Sequence, residues 1–177
     1  LEEDKAGHPT ESQGNLDLVR QHLLDRRPAL ALLPHGHDSN AGHQLVHAQL
    51  RQVAQESGSS LVAFLNRDPK TIEMRYDLYL EYGQEEAAWK GHLLRFHRSQ
   101  QQRNLNRRGY GFDERILNMD RQSAKALLAG APYAEVFELE VFGSPTLFRD
   151  LSVKDPWRAP HLVYFHKTDT DFSAGVG

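Results

Sequence analysis

The chain contains 177 residues, with 21 Lys and Arg against 24 Asp and Glu, and carries a formal net charge of −3 at pH 7. This length suits one ordinary domain, and the weakly negative charge gives no global basic field that would favour binding of nucleic acid. The absence of cysteine excludes a disulfide framework, a Cys-based zinc site and a thiol nucleophile. No apolar stretch is long enough to span a membrane and no signal-peptide pattern is present, so we expect a cytoplasmic protein.

The first half of the chain alternates predicted helices and strands after a polar start. Residues 1–13 have the composition of a linker or ragged start. Helical spacing of apolar residues, short apolar runs and one alternating stretch define the elements that follow. In chain order these are a helix from Asn15 (its candidate N-cap), a strand over 29–33, a helix over roughly 43–56, and strands over 61–65 and 74–82. The wholly apolar run 29–33 is typical of a strand that is buried on both faces.

The second half is less regular and more helical. Its predicted elements are helices over 85–101 and 112–128, a strand over 133–142 and a further apolar stretch over 162–165. In the first of these helices we expect the apolar residues to face inward, namely Ala88, Trp89, Leu93, Leu94 and Phe96. We expect residues 14–142 to form one α/β domain, and residues 143–177 to be an irregular tail that packs on it.

The order of helices and strands predicts where a ligand would bind. Strands that alternate with helices are typical of a parallel sheet covered by helices. In such sheets ligands bind at the loops that leave the carboxyl ends of the strands. The loop 34–42 directly follows the strand 29–33, so we expect this loop to lie at that edge.

Histidines concentrate in this loop and in the helix after it. Of ten histidines, four (His35, His37, His43 and His47) fall within thirteen residues. Imidazole is a common zinc ligand, and Asp38 could supply an oxygen ligand or accept a hydrogen bond from a ligating histidine. The alternative is a hydrated helix face beside a polar loop. A long polar loop after a buried strand favours a site at His43. The other three histidines are better explained as residues of the polar loop and the hydrated helix face.

Three short motifs occur in order along residues 14–142. They are Leu32-Leu33-Pro34 through Asp38 with His43 opening a helix, Lys90 followed by His97-Arg98-Ser99-Gln100, and Tyr133-Ala134-Glu135-Val136-Phe137. In combination they resemble the PIG-L/LmbE-type N-deacetylases, which include the N-acetylglucosaminyl-phosphatidylinositol de-N-acetylases. The first is similar to the second metal motif of that family. The others are similar to its Lys-x(6)-His-x-Ser-Gln helix and its Tyr-Ala-Glu-x-Phe segment.

The resemblance implies a fold, a reaction and a set of site residues. The fold is a Rossmann-like α/β domain, with a mostly parallel sheet flanked by helices. The reaction is zinc-dependent hydrolysis that removes the acetyl group from an N-acetylated amino sugar or a related small amide. His43 is then a ligand of one zinc ion, Asp38 belongs to the catalytic loop, and Asn40 could donate a hydrogen bond to the oxyanion. Residues that bind substrate or support the pocket wall are His97, Ser99, Gln100, Tyr133 and Glu135.

The chain departs from the family pattern at two points. The family's first metal motif, His-Pro-Asp-Asp-Glu, is not found; Gly7-His8-Pro9-Thr10-Glu11 begins alike but lacks both aspartates. Since the chain also opens with Leu, we expect the C-terminal part of a longer protein, incomplete on its N-terminal side, with a separate segment or chain completing the site. In addition, Asn40 stands where many members have a histidine, and asparagine cannot transfer a proton near neutral pH. The general acid is therefore unassigned, unless His35 or His37 replaces that histidine.

Alternatives remain open for the whole chain and for single features. The intact protein is either a deacetylase acting on a small N-acetylated molecule, or a non-catalytic remnant or interaction module of the same fold. A basic run is either an anion-binding surface or a solvated helix face; it consists of Lys90, Arg95, Arg98, Arg103, Arg107 and Arg108. We expect no nucleic-acid partner, because few aromatic residues accompany these cations. Glu135 could bind a substrate hydroxyl or pair with Lys90.

Overall fold

A computed structural model describes residues 2–5, 9–143 and 163–165 of the chain. The helices are α1 (Gln13–Arg26), α2 (Ala41–Glu56), α3 (Gln84–Arg95), α4 (Arg98–Arg108) and α5 (Phe112–Leu127). The strands are β1 (Leu30–Pro34), β2 (Leu61–Asn66), β3 (Leu78–Tyr82), β4 (Tyr133–Phe142) and β5 (Val163–Phe165). Apart from Gly143 and β5, the predicted tail lies outside the described residues. None of the helices in the described part is long and apolar enough to cross a membrane.

The strands form a mixed sheet in the order β1-β2-β4-β3-β5. β1 and β2 are parallel, with Leu30 opposite Val62, whereas β2 and β4 are antiparallel, and so are β3 and β5. The predicted α/β class, with helices flanking the sheet, is confirmed, but the prediction of a mostly parallel sheet is wrong. Parallel neighbours need a crossover connection that returns the chain to the same edge. Between β1 and β2 that connection is α2, and it produces the one parallel pair in the described sheet.

The chain divides into two compact units, and the first comprises the described residues up to Asp77 together with 137–143. Its core packs α1 and α2 against the strands, and its buried members are Leu23, Leu33, Val53, Ala54, Leu61, Ala63, Leu65 and Phe142.

Asn15 is not the N-cap of α1 as predicted. Ser12 is the cap, and its Oγ accepts the backbone N–H of Asn15 at 3.1 Å. Asn15 is instead buried, and its side-chain amide donates to the backbone oxygens of Glu2 and Thr10.

β1 is the outermost strand of the described sheet. Leu33 is buried, but Leu32 is 68% exposed and Leu30, on the same face, is also exposed. The expectation that this strand is buried on both faces is therefore wrong for one face. Among the described residues no strand pairs with the outer edge of β1, so an apolar strand is left with one face and one edge open.

The second unit contains residues 78–136 and β5. The predicted helix over 85–101 is broken at Phe96 and His97, which separate α3 from α4. The inward face of α3 consists of the small residues Ala87 and Gly91, because α5 packs close to them. A Cβ on Gly91 would lie 3.3 Å from Cδ1 of Leu117. Of the five residues expected to face inward only Leu94 is partly buried, and the other four are exposed.

The burial pattern of the first unit predicts which leucines stabilise it. Leu65→Ala should lower the free energy of unfolding by about 2–5 kcal/mol, because it leaves a cavity in the core. The same truncation at exposed Leu18 on α1 should cost less than about 1 kcal/mol. Chemical denaturation of both variants measures the difference. Equal losses would contradict the placement of the core.

Candidate metal site

The loop that follows β1 is tied to the loop that follows β2. Asp38 forms an isolated bridge with Thr71, and the backbone N–H of Ser39 donates to the carbonyl oxygen of Lys70 at 3.0 Å. A further bond runs from the N–H of Ile72 to the carbonyl oxygen of His37 at 2.8 Å. Since β1 and β2 are parallel, both loops leave the same edge of the sheet. The backbone thereby fixes the residues of the first loop relative to those of the second.

Asp38 is fully buried and holds His43 in one orientation. Its Oδ2 lies 2.9 Å from Nδ1 of His43, and its Oδ1 accepts the backbone N–H of Asn40 at 2.7 Å. Because a carboxylate only accepts hydrogen bonds, Nδ1 is the donor in this contact, and Nε2 is the ring nitrogen that the contact does not use. A carboxylate that orients a histidine in this way is typical of metal-binding histidines.

Asp68, in the loop after β2, completes a cluster of three ligand residues. One ligand atom from each of Asp38, His43 and Asp68 lies within 4.8 Å of the others. A turn holds Asp68 in place, since its Oδ1 accepts the N–H of Lys70 and its own N–H donates to Oγ1 of Thr71, both at 2.9 Å. One imidazole and two carboxylates are donor types that suit a divalent cation. These residues could therefore hold a metal ion.

Asp68 was missed in the sequence analysis, although a signal for it existed. The strands 29–33 and 61–65 were both predicted, and a helix between them predicts that they are parallel neighbours. The loop after the second strand then lies at the same edge as the loop after the first. Asp68 is the first acidic residue of that second loop, two positions beyond the end of β2.

Asn40 has a structural role that the sequence analysis did not assign to it. It is the N-cap of α2, and its Oδ1 accepts the backbone N–H of Gly42 at 3.1 Å. This cap starts the helix whose first turn carries His43. Asp38, Asn40 and His43, which were predicted together, therefore do lie together. The predicted hydrogen bond from Asn40 to an oxyanion stays a prediction.

His35 and His47 are held by carboxylates of β4. His35 is buried; its Nδ1 accepts the N–H of His37 at 3.0 Å, and its Nε2 lies 3.0 Å from Oε2 of Glu138. Both ring nitrogens are engaged, so His35 does not suit the role of general acid. His47 lies 3.1 Å from Glu140 through its Nε2. His35 thus joins the loop after β1 to β4, and His47 joins α2 to β4.

The remaining predicted residues belong to the second unit. Tyr133 is buried, and its hydroxyl donates to Oε1 of Gln84 at 3.2 Å. The hydroxyl oxygen of Tyr133 also accepts a hydrogen bond from Arg121 at 2.9 Å. Glu135 pairs with Lys90 at 3.1 Å, which confirms the structural alternative given for it. The other three predicted residues lie exposed at the start of α4, namely His97 (its N-cap), Ser99 and Gln100.

Lys90 is the centre of a polar network in the second unit. Its Nζ lies 2.9 Å from Asp120, a buried carboxylate that also accepts the hydroxyl of Tyr82. Burial by itself lowers the pKa of Lys90, but the carboxylates of Glu135 and Asp120 raise it above the ordinary value. The amine therefore stays protonated at neutral pH. It acts as a fixed cation between two acids, which excludes a role as a nucleophile.

Comparisons with known proteins do not identify a relative. No protein-family model matches the sequence, and neither a curated protein nor a solved structure gives a significant match. The N-deacetylase resemblance therefore rests on the motifs of the chain alone.

The pair formed by His47 and Glu140 predicts a pH dependence of stability. The hydrogen bond from His47 lowers the pKa of Glu140; burial raises it in part, and the pKa stays below its ordinary value of 4.5. A carboxylate with a lowered pKa stabilises the fold above its unfolded pKa, and this contribution is lost as the pH falls through the folded value. Glu140→Gln should therefore destabilise the protein at neutral pH and progressively less below pH 4.5.

Denaturation of the wild type and Glu140→Gln over a pH series measures this difference. Glu11→Gln is the matched control, because the described structure records no ion pair for the exposed Glu11. If Glu140→Gln lowered the free energy of unfolding by the same amount at all pH values, the prediction would be contradicted.

Proposed function

We propose that the chain forms part of the active site of a metal-dependent N-deacetylase. This hydrolase would release acetate from an N-acetylated amino sugar or a related small amide. The observation that carries the proposal is the cluster of Asp38, His43 and Asp68 at the carboxyl ends of the parallel strands β1 and β2. The order of the three sequence motifs supports the same reaction and a Rossmann-like domain.

In this proposal His43 and Asp68 hold a divalent cation, which is zinc in the family that the motifs resemble. The donor set fits, because Nδ1 of His43 is occupied by Asp38 and Nε2 is left for a metal. When bound, such a cation polarises a carbonyl oxygen and lowers the pKa of a water molecule. Asp38 itself orients the imidazole and keeps its proton on Nδ1. Asn40, in the same loop, would donate a hydrogen bond from its Nδ2 to an oxyanion.

The open edge of β1 supports the proposal that a further segment or chain completes the site. β1 is apolar and carries no charged residue, whereas natural edge strands are commonly protected by charges or bulges. Strands in parallel sheets are normally covered on both faces, yet Leu30 and Leu32 are exposed. A strand added parallel to β1 would end beside Asp38 and His43. In this proposal it would supply the remaining ligands and the general base.

The second candidate is a non-catalytic module of the same fold. It is favoured by Asn40, because the asparagine occupies a position of the motif where many members have a histidine. An asparagine in that position caps α2 and cannot transfer a proton. Metal binding and catalysis therefore need separate tests.

We expect the purified chain to bind zinc. Calorimetric titration with zinc chloride should show one site, and His43→Ala and Asp68→Asn should each abolish it. Asp38→Asn should weaken it by about 10–100-fold, because Asp38 acts through His43. The control is His22→Ala, an exposed histidine on α1. Zinc binding that His43→Ala leaves unchanged would refute the site.

Acetate release is expected from the protein as expressed from its native gene. An N-acetylglucosamine derivative should yield acetate, and a chelator should abolish the reaction until zinc is restored. His43→Ala should lower the rate by more than about 100-fold, since loss of an outer partner alone costs about 10–100-fold. His22→Ala should retain full activity. Stoichiometric zinc without acetate release from any N-acetylated sugar would instead establish the non-catalytic module.

A further inference from the structure

The turn that joins β1 to Asp38 is built around the side chain of His35. The imidazole is buried, and its Nδ1 accepts the backbone N–H of His37 at 3.0 Å. Because a backbone N–H can only donate, this Nδ1 is the ring nitrogen without a proton. The ring proton therefore lies on Nε2, which is 3.0 Å from Oε2 of Glu138 and donates to it. The two contacts together require a single tautomer of His35.

Glu138 is held in place by Arg75. Its Oε2 accepts the backbone N–H of Arg75 at 2.8 Å, and its Oε1 lies 3.1 Å from Nη2 of the same arginine. This Nη2 also lies 3.2 Å from the buried carboxylate of Asp77, which accepts the backbone N–H of Leu139 at 2.9 Å. The carboxylate that meets His35 is thus bonded at both of its oxygens. Polar networks in which every group is satisfied are rigid.

The next residue of the turn, Gly36, packs against the ring of His47. A Cβ on Gly36 would lie 2.5 Å from Nδ1 of His47, so no larger residue fits there while the ring keeps its place. Nε2 of His47 lies 3.1 Å from Oε2 of Glu140. Glu138 and Glu140 are two positions apart on β4, so their side chains leave the same face of the strand. Two carboxylates of one strand face thus hold consecutive residues of the turn through two imidazoles.

The turn that these residues hold leads directly into the metal cluster. The N–H that His35 accepts belongs to His37, and the next residue is Asp38. Asp38 is fully buried, and its Oδ2 lies 2.9 Å from Nδ1 of His43. The orientation of the His43 ring therefore depends on the position of Asp38, and the position of Asp38 depends on the turn. Outer partners of a metal ligand affect metal affinity although they do not touch the metal.

We propose that His35 and Glu138 are positioning residues of the candidate metal site and act on His43 through Asp38. In this relay Glu138 keeps the ring proton of His35 on Nε2, and His35 keeps the N–H of His37 bonded. The fixed turn then presents Asp38, which orients the ligating ring. The inference rests on the metal site of the proposed function, but not on deacetylation. If His35 only stabilised the fold, its loss would lower the free energy of unfolding and leave the metal affinity unchanged.

Calorimetric titration of the full chain with zinc chloride tests the relay. His35→Gln keeps a donor for Glu138 but has no acceptor in the place of Nδ1, so it should weaken zinc binding by about tenfold. His35→Asn should bind zinc within about threefold of the wild type, because asparagine accepts the backbone N–H two residues on. His22→Gln, at an exposed position of α1, is the matched control and should bind like the wild type. Leu23→Ala controls for stability, since it removes a buried side chain of α1 and should leave the zinc affinity unchanged.

The role of Glu138 is tested in two backgrounds. Glu138→Ala should weaken zinc binding by about tenfold in the wild type, because the ring proton of His35 is then free to move to Nδ1. In His35→Asn the same change should have an effect of less than about twofold, since the asparagine oxygen accepts a hydrogen bond with or without Glu138. Equal losses in both backgrounds would overturn the relay. Absence of zinc binding from the wild type would overturn the metal site and the relay together, whereas wild-type binding that His35→Gln leaves unchanged would overturn the relay alone.

A metal-free measurement follows the ring protons directly. Nitrogen NMR of the histidine side chains, at a pH where both rings are neutral, should place the proton of His35 on Nε2 and that of His43 on Nδ1. His35→Gln should shift His43 towards a mixture of tautomers, and His22→Gln should not. A His35 proton on Nδ1, or a His43 spectrum that His35→Gln leaves unchanged, would overturn the relay.

Discussion

The parallel pairing of β1 with β2 is the constraint on which the candidate site depends. It brings Pro34 and Asn66 side by side, so the loops that follow them start from adjacent points. Backbone bonds then join the loops through Asp38 and Thr71. An antiparallel pairing of the same strands would have placed Asp38 and Asp68 at opposite ends of the sheet. The crossover helix α2, which makes the pairing parallel, also carries His43 in its first turn.

Burial of Asp38 determines the chemistry that the site can perform. A buried carboxylate is costly unless it is hydrogen-bonded or paired with a positive charge. Here the N–H of Asn40 and Nδ1 of His43 satisfy it, and both donors come from the same loop and helix. The bond to His43 orients the imidazole before any ligand arrives, so binding of a cation costs less side-chain entropy at this residue. Asp68 adds a second carboxylate, and the two acids together favour a cation over any other ligand.

The sequence predicts the bounds of the helices and strands better than the burial of their side chains. The strand over 133–142 and the helix starting at 112 have the predicted bounds, because continuous apolar patterns and Gly or Pro punctuation depend only on local sequence. Asp38, Asn40 and His43, which were named together from the sequence, also lie together in the structure. Burial was predicted less well, since Leu32 and Trp89 are apolar residues in regular elements that are nevertheless exposed.

Two other predictions, of a mostly parallel sheet and of the inward face of α3, were wrong because tertiary contacts decide these features. The sheet is mixed because β4 returns antiparallel beside β2, and a single sequence does not determine which edge a distant strand will join. The inward face of α3 was assigned to its large residues, yet close packing against α5 selects Ala87 and Gly91 instead. In both cases local pattern is compatible with either arrangement. The contact that decides between them is formed by residues more than twenty positions away.

Asn40 positions the candidate site but cannot supply the proton transfer that the proposed reaction needs. As the N-cap it satisfies the backbone of α2, which a histidine would do less well, and so it secures the position of His43. Unlike a histidine, an asparagine cannot donate and accept a proton near neutral pH. His35 does not compensate, since both of its ring nitrogens are engaged. In the proposed deacetylase, proton transfer to the leaving amine therefore falls to a group other than Asn40 and His35, and the exposed His37 of the same loop is the remaining candidate among the residues named for it.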